Sequence, residues 1–154
     1  MGLAQYLKGI SSLFLDTAPI IYYIEAHPNY GPLVSEVVRD FQSGRLAAYS
    51  SVMTLVEVLP KPIAMGNESL ADIFSNFLMA GNNITILEIT SQIAQRAGKL
   101  RGQYGFLKSM DAIQIATSME VNADAFLTND IQLKKVAEIS ALVLKDFLSE
   151  GDKA

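Results

Sequence analysis

Short apolar runs alternate with longer stretches of helical period along this chain, and no two runs are joined by a hairpin turn signal. The runs are Leu13-Phe14-Leu15, Leu46 to Tyr49, Ile84 to Ile89, Ala125-Phe126-Leu127 and Ala141 to Leu144. Strands that succeed one another without hairpins run parallel, and a parallel sheet needs helices on both faces. The pattern therefore predicts an α/β fold. The expected architecture is a three-layer α/β/α sandwich around a mainly parallel sheet of about five strands.

The segments between the runs carry helix signals. Pro19 suits the first turn of a helix that ends at His27-Pro28. Leu33, Val34, Val37, Val38 and Phe41 make a stripe over Tyr30 to Ser43, stopped by Gly44. Val52, Leu55, Val56 and Leu59 share one helix face before Pro60 and Pro62. Ser69 with Asp72 resembles a capping box ahead of Ile73, Phe74, Phe77 and Leu78. Thr90 suits the cap of a helix from Ser91 to about Tyr104. Further helices are expected over Ser109 to Val121 and Ile131 to Ala137. No repeat, linker or low-complexity tract interrupts the pattern, so one domain is expected over 1–148, with a frayed tail at 149–154.

Composition narrows the chemistry. Of 154 residues, 50% are hydrophobic and 18% charged, which excludes intrinsic disorder. No apolar run reaches the roughly 18 residues a membrane span needs. The N-terminal stretch has only Lys8 as a positive charge, and Tyr6 stands where myristoylation wants Ser or Thr. A cytoplasmic protein is expected. With no cysteine and one histidine, His27, there is no thiolate nucleophile and no multi-histidine zinc cluster. The 12 Lys+Arg against 16 Asp+Glu give a net charge of -4, which disfavours coating nucleic acid by charge alone.

In open α/β sheets, ligands bind beyond the C-terminal ends of the strands. Asp16 closes Leu13-Phe14-Leu15, and Asp130 follows Phe126-Leu127 through Thr128-Asn129. Two further acids have apolar surroundings: Glu57 within Thr54 to Leu59, and Asp111 ahead of Ala112, Ile115 and Ala116. Singly, each has an ordinary explanation. Asp16 and Asp130 suit helix caps, Asp111 complements a helix dipole, and Glu57 fits a solvent-facing edge. Together they match what a metal site needs. Two carboxylates about 4 Å apart repel by roughly 4 kcal/mol at an effective dielectric near 20, so a shared pocket requires a cation or protonation. An all-oxygen donor set selects Mg²⁺ or Mn²⁺, and such ions serve phosphoryl chemistry by activating water and stabilising negative charge.

The order Leu13-Phe-Leu-Asp16-Thr17, Ser51 to Glu57, Asp111-Ala-Ile-Gln-Ile-Ala116 and Leu127-Thr-Asn-Asp130 resembles a PIN-domain ribonuclease. It looks most like the small VapC-type toxins of type II toxin–antitoxin pairs, over about Leu13 to Leu144. The resemblance implies a metal-dependent endoribonuclease in which Asp16, Glu57, Asp111 and Asp130 hold one or two Mg²⁺ or Mn²⁺ ions. Thr17, Thr128 and Asn129 would support them by hydrogen bonds. It further implies a homodimer and a cognate antitoxin partner, while the lack of a long apolar run leads to no membrane association being expected. The stripes Leu33, Val37, Phe41 and Phe74, Phe77, Leu78 are candidate dimer or antitoxin contacts, or else core. Lys61, Lys108 and Lys134-Lys135 are candidate RNA contacts, though lysines near a site are more often solvated.

Two rival enzyme readings fail on motif. A phosphatase of the haloacid-dehalogenase type wants a second Asp where Ala18 stands, and the acid pair and lysine of a phosphorylated receiver domain are absent. A non-catalytic PIN-like interaction domain in an RNA-processing complex is the remaining alternative. The net charge also acquires a meaning. Without the four acids, the remaining Asp and Glu equal the Lys and Arg in number.

Overall fold

Along each central strand, successive side chains enter opposite helical layers. Leu13 and Leu15 join one core, with Ala125 and Leu127 beside them, while Phe14 and Phe126 point into the other. Burial on both faces is why these strands read as unbroken apolar runs rather than as alternating ones. In the computed structural model, which describes residues 2–149, these runs form a five-stranded, all-parallel sheet in a three-layer α/β/α sandwich.

The elements begin with α1 (Leu3–Leu7), β1 (Ser12–Leu15), α2 (Thr17–Ile24), α3 (Gly31–Gln42) and β2 (Ala47–Ser51). Next come α4 (Met53–Val58), α5 (Pro60–Ala64), α6 (Glu68–Ala80), β3 (Ile84–Leu87), α7 (Ser91–Gln103) and α8 (Ser109–Glu120). The chain continues through β4 (Ala125–Thr128), a 3₁₀ turn (Ile131–Lys135), β5 (Ala141–Val143) and a second 3₁₀ turn (Leu144–Phe147). The sheet order is β3-β2-β1-β4-β5, so the winding reverses between β1 and β4. That reversal opens a crevice beyond the strands' C-terminal ends. Phe14 pairs with Phe126 in register, and their rings stack with centroids 5.2 Å apart.

One core holds Leu13, Leu15 and Leu127 against α1, α2, α3, α4 and α6; the other holds Phe14 and Phe126 against α7 and α8. Gly44, at φ +89, supplies the left-handed turn after α3 that stops the helix without a Cβ penalty. Several sequence expectations shift. Residues 3–7, which show no helix signal in the sequence, form a helix because Leu3 and Leu7 bury together at helical spacing. The cap of α6 is Asn67, accepting from Leu70 N at 3.1 Å, rather than Ser69. Pro60 starts α5 at its first turn, where its missing N–H costs nothing. Val37, Phe41, Phe74 and Leu78 are core residues, not free surface. Of the expected frayed tail, residues 150–154 lie outside the described residues.

Candidate active site

β1 and β4 end side by side at the reversal, which places Asp16 and the Thr128-to-Asp130 turn together. Asp16 is the N-cap of α2: its Oδ1 accepts from Thr17 N at 2.9 Å. Its Oδ2 accepts from the Thr128 hydroxyl at 2.8 Å, so the last residue of β4 grips the first acid. Thr128 Oγ1 in turn accepts from Asp130 N at 3.1 Å. Asp130 caps the following 3₁₀ turn through its Oδ1, which accepts from Gln132 N at 3.0 Å. Glu57, on the exposed side of α4, is drawn towards the same end by Thr17, whose hydroxyl donates to Oε1 at 2.6 Å. Asp111 lies in the first turn of α8 and accepts a bond from the backbone N–H of Lys108.

These acids share one electrostatic neighbourhood. Loss of solvent pushes the Asp16 carboxyl up to about 6, and the negative charges of Asp111 and Glu57 push the same way. The bonds from Thr128 and Thr17 pull it back only in part. Asp111 is raised by burial first and then by Asp130 and Glu57, against the pull of Lys108. Each of the four acids is thus linked to another by like-charge repulsion. Among the described residues, none of the four makes an ion pair with a basic side chain.

The donor set fits a hard divalent ion of a particular kind. Among the described residues, no three His, Cys, Asp or Glu side chains stand close enough to cage an ion outright. Mg²⁺ does not require a cage. It keeps several waters and is commonly held by one or two carboxylates plus phosphate oxygens. Each Asp16 oxygen accepts a single protein bond, which leaves a lone pair on each to face a cation.

The other expected residues are distributed differently. The Asn129 side chain bonds elsewhere than to the acids: its amide donates to the Tyr22 hydroxyl at 3.2 Å, and its carbonyl accepts from Lys145 N at 3.0 Å. It ties the end of β4 to α2 and to the C-terminal turn. Lys134 is engaged with Asp146 in an exposed ion pair. Lys61 and Glu57 line one side of an apolar cavity of about 240 Å³ with Ile21, Val58, Met65 and Leu70. Lys108 sits at the α8 N-terminus beside Asp111. A larger cleft of about 480 Å³, bordered by Lys8 at the end of α1, Arg39 and Asp40 on α3 and Arg45 before β2, holds none of the four acids. Motif and spacing assign no role to Tyr22, or to the buried polar group Ser50, Thr54 and Gln114 beneath the acids. Polar residues inside apolar-looking helices carry no periodic signal of their own.

A family model described as PIN domain matches residues 13–139. A comparison with curated proteins finds no match. Solved structures match over nearly the whole length of their chains. The structure of VapBC2 from Rickettsia felis bound to a DNA fragment from their promoter has a TM-score of 0.64 at 18% identity, covering 86% of this chain and 98% of that one. A toxin–antitoxin complex from Klebsiella pneumoniae gives 0.62 at 23% identity, covering 87% and 98%. DNA-bound VapBC from Salmonella typhimurium gives 0.68 at 16% identity, covering 88% and 99%. At these identities the likeness is one of fold.

Proposed function

The chain belongs to the PIN-domain family, and from that premise we propose that it is a metal-dependent endoribonuclease, the toxin component of a type II toxin–antitoxin pair. The observation that carries the reading is the gathering of Asp16, Glu57, Asp111 and Asp130 at the winding reversal without an ion pair among the described residues. Like charges held together by a fold imply a cation in the working state.

The four acids would hold one or two Mg²⁺ or Mn²⁺ ions. When bound, such an ion supplies positive charge to the phosphate and lowers the pKa of water at the site. The chain's own residues do the rest. Thr128 and the Thr17 backbone fix the two oxygens of Asp16, so the carboxylate turns its remaining lone pairs outward. The Thr17 hydroxyl fixes Glu57 against rotation about its long side chain. Hydrolysis proceeds by in-line attack of water on an RNA phosphodiester, with the strand laid across the crevice. Lys61, which lines a cavity with Glu57, and Lys108, beside Asp111, are the candidate phosphate contacts, and Lys134 shares its charge with Asp146.

An antitoxin partner is supported by the exposed apolar side chains Val56 on α4, Ile63 on α5, Met65 just after it and Ile73 on α6; Met65 also lines the cavity that Glu57 borders. A homodimer and a cytoplasmic setting complete the proposal; no helix among the described residues is long and apolar enough to cross a membrane.

Incubation of the purified protein with RNA and Mg²⁺ or Mn²⁺, with and without EDTA, tests the reading directly. Cleavage should require the ion and should disappear in Asp16→Asn and Asp111→Asn. Cleavage that persists in EDTA overturns the metal requirement. Intact binding of RNA without cleavage, under every metal condition, would instead indicate a non-catalytic PIN-like domain.

A further inference from the structure

Beneath the acids lies a fully buried polar chain made of Ser50 and Ser51 at the end of β2, Thr54 on α4 and Gln114 on α8, each 0% exposed. Four polar side chains are costly to desolvate unless every donor and acceptor is matched. Here every polar side-chain atom has a partner. Gln114 Nε2 donates to Thr54 Oγ1 at 2.8 Å, and Ser51 Oγ donates to Gln114 Oε1 at 2.5 Å. Ser50 Oγ and Thr54 Oγ1 are 2.8 Å apart, and Ser50 Oγ donates to the Leu15 carbonyl at 3.0 Å. Met53 N closes the other end by donating to Ser51 Oγ at 3.2 Å.

The hydrogen positions follow from this arrangement. Ser50 spends its one hydrogen on Leu15, so Thr54 must donate to Ser50, and Thr54 in turn accepts from Gln114. The direction therefore runs from Gln114 through Thr54 and Ser50 to the Leu15 carbonyl. Turning the Gln114 amide over would leave the Ser51 hydroxyl hydrogen without an acceptor. Among the described residues, no buried side-chain nitrogen or oxygen lacks a partner.

The members of this chain stand in a regular relation to the acids. Thr54 is one helical turn before Glu57 on α4, and Gln114 is one turn after Asp111 on α8. Leu15 directly precedes Asp16, whose own N–H is held by the Leu127 carbonyl at 2.9 Å. The peptide between Leu15 and Asp16 is therefore clamped on both sides. We propose that Gln114, Thr54, Ser50 and Ser51 are positioning residues: their hydrogen-bond chain sets α4 and α8 at the spacing that brings Glu57 and Asp111 to Asp16. This inference rests on the metal-nuclease reading for its functional meaning, but its geometry does not.

The test uses Thr54→Val, which keeps the shape and removes the hydroxyl, beside Thr54→Ser, which keeps the hydroxyl. Ser118→Ala serves as the control, since it deletes another buried hydroxyl on α8 outside the chain, one bonded to the Ile115 carbonyl at 2.7 Å. Mn²⁺ uptake by each folded full-length variant is read from the electron paramagnetic resonance of free Mn²⁺. Outer-layer support of metal ligands is typically worth about 10–100-fold in affinity. Thr54→Val should weaken Mn²⁺ binding by about that factor, while Thr54→Ser and Ser118→Ala stay within about threefold of wild type. Should Thr54→Val not fold, Ser51→Ala removes the far end of the chain and should shift affinity the same way.

Amide hydrogen exchange of the metal-free protein provides the second reading. Exchange at Asp16 and through the first turn of α8 should quicken in Thr54→Val but not in Ser118→Ala. Equal Mn²⁺ affinity in Thr54→Val and wild type overturns the inference. A wild type that binds no Mn²⁺ defeats the metal reading instead. The exchange data then judge the positioning alone, and unchanged protection overturns it.

Discussion

The two ends of the β1–β4 pair treat a carboxylate in opposite ways. At the N-terminal end, Asp124 Oδ2 accepts from Ser11 N at 2.8 Å, Ser11 Oγ at 2.9 Å and Ser12 N at 3.1 Å. Asp124 N returns a bond to Ser12 Oγ at 2.9 Å. The bonds from Ser11 and then Ser12 hold the Asp124 carboxyl below its ordinary range. At the C-terminal end of the same strands, Asp16 has two donors, loses solvent and meets other acids, and its carboxyl rises to about 6. One end uses a charge to fasten the sheet. The other gathers charge that the protein's own groups do not balance, a pattern expected where a ligand completes the site.

Asp16→Asn should break this contrast most visibly. Loss of the central carboxylate is expected to reduce RNA cleavage by more than about 100-fold in Mn²⁺, an effect at or beyond the loss of an outer-layer support. Stability should move the other way. A carboxyl raised from 3.8 to about 6 binds its proton more tightly in the folded state. The native protein therefore loses stability as pH rises through that window, and the loss is complete above it. A tenfold change in proton affinity corresponds to about 1.4 kcal/mol, and the residual exposure of Asp16 to solvent brings the total to about 1–2 kcal/mol. Without metal, Asp16→Asn should be more stable than wild type by that amount at pH 8 and lose the advantage near pH 3. Urea unfolding at both pH values measures it. Saturating Mn²⁺ should reverse the order, because an ion at 100 times its dissociation constant adds about 2.7 kcal/mol to the form that binds it.

The opposite end predicts the opposite result. Asp124→Ala should cost about 1 kcal/mol at neutral pH, the scale of a lost cap at an exposed position. Because the folded Asp124 carboxyl is depressed, its contribution is present above the unfolded value of 3.8 and disappears as pH falls through the lower folded value. Asp124→Ala and wild type should therefore converge in stability towards pH 2. Cleavage by the folded variant should be unchanged, since Asp124 lies at the far end of the strands from Asp16. A loss of cleavage in the folded Asp124→Ala protein would mean that the two ends are coupled.

The sequence exposed the acid-rich end more readily than the fastened one. Asp16 and Asp130 follow apolar runs that are legible because β1 and β4 are buried on both faces. Asp124 also sits beside such a run, but nothing in its neighbours distinguishes three incoming donors from open solvent. The α4 stripe shows the same limit. Val52, Leu55, Val56 and Leu59 have the expected spacing, yet Val56 is 58% exposed while Thr54 is fully buried. The helix turns its polar Thr54 inward to meet Gln114 and Ser50, and apolar periodicity cannot register an inward hydroxyl. Asn67 and Ser69 are both good caps, and only the geometry around Leu70 N chose between them. Helix α1, with five residues, is too short for a period to show.

The smallest expected effect tests whether the acid-rich end is left to an outside cation. Lys134 follows Asp130 in the 3₁₀ turn and is the basic side chain nearest to it in sequence, but its partner is Asp146. Both members are more than a third exposed, so the pair is worth no more than about 0.5 kcal/mol. Lys134→Ala should therefore shift the urea midpoint only slightly and leave Mn²⁺ affinity within about twofold. Had Lys134 been neutralising the acids, its removal would tighten Mn²⁺ binding by deepening the negative potential at the site, and the stability cost would grow as the acids ionised. A several-fold tightening on Lys134→Ala would show that the protein supplies part of its own counter-charge. An unchanged affinity leaves the acids to be balanced by the ion, whereas at the other end of the strands the chain's own hydrogen-bond donors hold Asp124.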